Sequence, residues 1–104
     1  MAVANVELAL SEQELRTVRA ILRRHLSSQF RVYAFGSRAG GRVKPWSDLD
    51  LSIEGDEPVP LATLGALADD FAESDLIWKV DLVDRATVSK AFGEIIDASK
   101  LPLD

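Results

Sequence analysis

From Ser11 onward, apolar residues recur at intervals of three and four, at Leu15, Val18, Leu22 and Leu26. That is one face of a 3.6-residue helix. Ser11 followed by Glu14 has the spacing of a capping box, so a first amphipathic helix is predicted from Ser11 to about Ser27. The rhythm changes at Phe30 to Phe35 (FRVYAF), a run of aromatic and β-branched residues that stops at Gly36 and reads as a strand entering a turn. A glycine-rich stretch follows, and a second strand is predicted to start near Ser47. Its period of two sends Leu49, Leu51 and Ile53 to one face and Asp48 and Asp50 to the other. Glu54 to Pro60 (EGDEPVP) reads as a surface loop. Leu61, Leu64, Leu67, Ala68 and Phe71 then predict a second amphipathic helix, from Leu61 to about Ser74. Ile77 to Val83 (IWKVDLV) predicts a third strand, with Asp81 on the face of Lys79 and Val83 and opposite Val80 and Leu82. Thr87 is the predicted cap of a last helix whose buried stripe is Val88, Phe92, Ile95 and Ile96, and LPLD closes the chain. Helix, strand, strand, helix, strand, helix is the order of an α/β (α+β) sandwich, a small mixed β-sheet flanked by helices.

Composition narrows what such a sheet can serve. With 104 residues, 47% of them hydrophobic, the chain is expected to form one domain over residues 1–104, with no internal repeat or linker. A function that needs two lobes must take the other from a partner. Twelve basic against 17 acidic residues give a net charge of -5, which argues against broad electrostatic binding to nucleic acid. Arg16, Arg19, Arg23 and Arg24 are read accordingly as a solvated helix flank. Cysteine is absent, so thiolate metal sites and disulfides are excluded and oxygen ligands for a hard cation remain. The one histidine, His25, falls near the end of the first helix, where a cation suits the dipole, and is read as structural. No signal peptide or membrane-length apolar run is visible, and a cytoplasmic location is expected.

The apolar face of the second strand explains itself by burial; the acidic face does not. Two neighbouring carboxylates repel unless a cation offsets their charge, and a divalent metal is the simplest candidate. Asp81 supplies a third carboxylate if the third strand lies beside the second with the same face presented. Magnesium takes oxygen ligands and is commonly shared between carboxylates and phosphates, and a pair of such ions can serve phosphoryl displacement. On this reading Asp48 and Asp50 hold the metal of the nucleotide, and Asp81 helps hold a second ion that activates an attacking hydroxyl. Backbone N–H groups at the Gly36-Ser37 turn, with the Ser37 hydroxyl, form an anion site for the β and γ phosphates. Arg38 and Lys44 are near enough in sequence to assist the leaving group. Trp46 and Trp78 are read as core or interface anchors before base-stacking residues.

These residues resemble the pattern of the minimal nucleotidyltransferases of the polymerase-β-like superfamily: a Gly-Ser turn, a distal glycine, then Ser-Asp-x-Asp-Leu. Here they are Gly36, Ser37, Gly41, Ser47, Asp48, Asp50 and Leu51, and the family's third carboxylate matches Asp81 in VDLVD. The likeness spans nearly the whole chain. One departure is Ala39-Gly40-Gly41, where the family often has Ala-Arg-Gly; Arg38 and Arg42 flank the missing arginine. Among chains of this size the resemblance is to the MNT antitoxins encoded beside HEPN-domain toxins. It implies a nucleotidyltransferase fold and transfer of AMP from ATP, with Mg2+ (two ions), to a tyrosine of a HEPN ribonuclease toxin, the two proteins associating as a hetero-oligomer. Asp48, Asp50 and Asp81 are then the catalytic and metal-holding residues, and Gly36, Ser37, Arg38 and Ser47 the nucleotide-binding ones. The main alternative is an inactive antitoxin that neutralises its toxin by docking alone. Presence of the third carboxylate favours catalysis. A small-molecule or RNA acceptor is disfavoured by the chain's length and charge, and a purely solubilising role for the aspartates by the repulsion it would leave uncompensated.

Overall fold

The computed structural model describes residues 10–36 and 48–103. Helix α1 runs over Glu12–His25 and begins as its sequence requires. The Ser11 hydroxyl accepts from the Glu14 N–H at 3.1 Å, and the Glu14 carboxylate accepts from the Ser11 N–H at 2.9 Å. Glu12 and Glu14 in the first turn, and Arg23, Arg24 and His25 in the last, complement the helix dipole. Leu15, Val18, Ile21 and Leu22 form its buried stripe.

Strands β1 (Arg31–Phe35) and β2 (Leu49–Glu54) pair antiparallel, with Phe35 opposite Asp50 and Arg31 opposite Glu54. Helix α2 (Leu61–Ala72) then leads to β3 (Val80–Asp84), which lies parallel to β2. A 3-10 turn at Arg85–Thr87 precedes α3 (Lys90–Ser99) and a two-residue strand β4, Leu101–Pro102. The sheet order is β3-β2-β1-β4, so β2 is internal and Leu49, Leu51 and Ile53 are fully buried in the core with α1 and α2.

Several expectations shift. Helix α1 ends at His25, two residues before Ser27, and β3 begins at Val80, three residues after Ile77. Thr87 lies in the 3-10 turn, and the cap of α3 is Ser89, whose hydroxyl accepts from the Phe92 N–H. Ile95 and Leu61 were expected on buried faces but are exposed, at 62% and 85%, whereas Ile96 is fully buried. Period alone places a residue within about a quarter turn, and packing decides which side of the stripe is covered. The LPLD segment contributes β4, with Pro102 opposite Tyr33. A proline has no N–H to donate and is tolerated there because β4 is an edge strand.

Candidate active site

Parallel pairing of β2 with β3 places Asp50 directly opposite Asp81 in register. Residues in register share a face of the sheet, so the geometry expected of Asp81 is met. Asp48 stands one residue before β2 and is exposed, Asp50 is half-buried, and Asp81 keeps 39% of its side chain exposed on the edge strand. Burial pushes the Asp50 carboxyl above the ordinary carboxylate range. The charges of Asp81 and Asp48 push it the same way, as does a carboxyl–carboxyl hydrogen bond with Asp81. Three carboxylates therefore act on one another at the end of two adjacent strands.

Gly36 closes the site from β1. It has φ of 78°, in the left-handed region, and a Cβ built there would lie 2.5 Å from Asp50 Oδ2. Glycine is thus required twice over, by backbone conformation and by the close approach of a carboxylate. Behind it Phe35, paired with Asp50, makes an edge-to-face contact with Phe92 of α3, the ring centroids 5.9 Å apart. This aromatic pair supports the strand end that carries the site. Ser37, Arg38 and Ser47, with Lys44 and Trp46, lie outside the described residues. Trp78 is only 6% exposed and belongs to the core, in line with the anchor reading.

A divalent cation suits the donor chemistry of the aspartates, since all are hard oxygen ligands and a cation would relieve the repulsion that, after burial, pushes the Asp50 carboxyl upward. Among the described residues, no three acidic or histidine side chains already surround a cation position. The Lys79 ammonium lies 3.4 Å from Asp81 Oδ1. Two hollows of about 350 and 420 Å3 flank α1, and neither is lined by Asp48, Asp50 or Asp81.

Sequence reasoning missed the groups that hold this end of the sheet in place. Asp84, 8% exposed, accepts from the Val59 N–H at 2.9 Å and from the Ala86 N–H at 3.1 Å, tying the loop before α2 to the end of β3. Its sequence signal is the second aspartate of VDLVD. At the other side, Lys100 bridges Glu54 and Asp97 and lies 4.5 Å from the centre of the Tyr33 ring. His25 is structural as expected: its Nε2 is 2.6 Å from Asp70, which Arg24 also reaches at 3.0 Å.

Residues 15–103 match the nucleotidyltransferase domain family. A Haemophilus influenzae protein described as a probable protein adenylyltransferase, MntA, is 46% identical over 90 residues, which are 86% of this chain and 78% of that protein. A toxin-antitoxin crystal structure with AMP-PNP superposes with a TM-score of 0.69 at 24% identity, covering 86% of this chain and 72% of the other. A structure of a tri-AMPylated Shewanella oneidensis HEPN toxin in complex with MNT antitoxin superposes at 0.65 with 23% identity, covering 86% and 68%. At these identities the two structures bear on the fold.

Proposed function

The chain belongs to the nucleotidyltransferase domain family, and from that premise we propose that it is an antitoxin that transfers AMP from ATP to a tyrosine hydroxyl of a HEPN-type toxin and so silences it. The observation that carries this reading is the register match of Asp50 with Asp81, with Asp48 one step before β2. Relatives support the acceptor: one is described as a protein adenylyltransferase, and another is seen with an AMPylated toxin.

In this reaction the tyrosine oxygen bonds to the α-phosphorus, the bond from that phosphorus to the β-phosphate oxygen breaks, and pyrophosphate leaves. The phenolic proton is lost to water at the open edge of the sheet, where Asp81 is partly exposed. Asp48, Asp50 and Asp81 would hold Mg2+, and bound metal supplies Lewis-acid stabilisation of charge on the phosphate oxygens. The chain's own contribution is placement. Gly36 lets β1 turn against the Asp50 carboxylate without a side chain between them, and the fully buried Leu49 and Leu51 on either side fix that carboxylate on a rigid internal strand. Ser37, Arg38 and Ser47 are assigned to the phosphates of ATP. Acceptor tyrosine and toxin surface come from another chain.

Incubation with labelled ATP, Mg2+ and the cognate HEPN protein tests this. Label is expected on the HEPN protein with wild type and to fall at least about a hundredfold with Asp48→Ala, the scale of a displaced charge-stabilising group. Equal labelling by Asp48→Ala would exclude the carboxylates from the chemistry.

A further inference from the structure

Lys79 is a cation at the acidic site with no part in the reading above. Its Nζ lies 3.4 Å from Asp81 Oδ1, and it is the one cation ion-paired with any of Asp48, Asp50 and Asp81 among the described residues. The backbone fixes its position. The Leu49 N–H donates to the Lys79 carbonyl at 2.9 Å, and Leu49 is in register with Val80. One step back along that register, Lys79 comes level with Asp48, on the face that carries Asp50 and Asp81. Its side chain is 73% exposed, so the ammonium sits at the mouth of the site.

An ion pair this exposed contributes little. Asp81 therefore holds the ammonium loosely, and a ligand with more negative charge can take it away at small cost. A nucleoside triphosphate is such a ligand and, on the proposed reaction, arrives at this place. We propose that Lys79 is a nucleotide-binding residue that changes partner: it pairs with Asp81 in the absence of nucleotide and with phosphate oxygens of the bound nucleoside triphosphate. The exchange does two things at once. It frees an Asp81 oxygen for the reacting centre, and it brings one further positive charge to the phosphates of the bound nucleotide.

This inference rests on the nucleotidyl-transfer reading. Its test is calorimetric titration of the full chain with a non-hydrolysable ATP analogue and Mg2+, comparing wild type, Lys79→Met and Lys79→Arg, with melting temperatures measured without nucleotide. Lys79→Met is expected to weaken binding about tenfold, the scale of one charge-assisted hydrogen bond, and Lys79→Arg to keep it within about threefold. Melting temperatures should stay within about 2 °C of wild type, since the side chain is solvated. A lysine that only guards a sheet edge against pairing gives a different result: Lys79→Met then binds the analogue as wild type does, which overturns the inference and leaves the nucleotidyl-transfer reading standing. If wild type itself does not bind the analogue, both fall together.

Discussion

Replacing Gly36 by alanine separates stability from chemistry at the site. Alanine at φ of 78° occupies the left-handed region at a cost of about 1–2 kcal/mol. About 0.4–1 kcal/mol of that is offset by the reduced freedom of the unfolded chain. The net loss is about 1 kcal/mol, which lowers the melting temperature of a chain this size by about 4–8 °C. The new methyl would stand 2.5 Å from Asp50 Oδ2, where ordinary contact begins at 3.4 Å. The carboxylate must therefore yield by about 0.9 Å, the difference of those two distances. Moving the end of an aspartate side chain costs the fold little, but displacements of about 1 Å at a reacting centre cost on the order of a hundredfold in rate. Gly36→Ala is thus expected to fold, to melt several degrees lower, and to transfer AMP about a hundredfold more slowly at temperatures where it is fully folded. Differential scanning calorimetry and a rate assay with labelled ATP measure the two effects. Transfer within about twofold of wild type would refute the contact between this turn and a working Asp50.

Three further outcomes are expected. Asp50→Asn removes a carboxyl that burial, Asp81 and Asp48 hold above its ordinary range. A raised carboxyl binds its proton more tightly in the folded state, so stability is greatest below the unfolded value and declines as pH rises through the folded one. The variant should therefore melt higher than wild type at neutral pH, by an amount that vanishes in acid, while losing activity; a lower neutral melting temperature would contradict the repulsion. At Asp70 the sign reverses, because the hydrogen bond from His25, with help from Arg24, holds that carboxyl below the ordinary carboxylate range. Its contribution is present above the unfolded value and lost as pH falls through the folded one, so Asp70→Asn should lower stability at neutral pH and flatten its decline in acid. Finally, Ile96→Ala, at a fully buried position, should cost about 2–5 kcal/mol in urea unfolding, whereas Ile95→Ala, at 62% exposure, should stay within about 0.5 kcal/mol.

The sequence made the acidic site legible because period-two alternation is a strong constraint. Once Leu49, Leu51 and Ile53 claim the core, Asp50 must face the other way, and a parallel neighbour with its own Val-Asp-Leu brings Asp81 level with it. Helix α1 was equally plain, since Ser11 and Glu14 satisfy each other's backbone N–H groups locally. What stayed hidden depends on distant partners. Ser52 alternates onto the polar face yet is fully buried, in a region shared with Glu54, Lys100 and the Tyr33 ring. Lys100 is 46 residues from Glu54 and Asp84 is 25 from Val59, and no local pattern encodes such pairs. Strand β4 escaped because two residues, one a proline, carry no period, and its pairing with β1 is a property of the closed sheet.

The intact mass of the cognate HEPN protein, after co-expression with this chain or with its Asp50→Asn, Asp81→Asn variant, tests the central claim most directly. The account predicts AMP on a tyrosine of the partner with the wild-type chain and an unmodified partner with the double variant. A partner that carries AMP equally in both, or in neither, would contradict it.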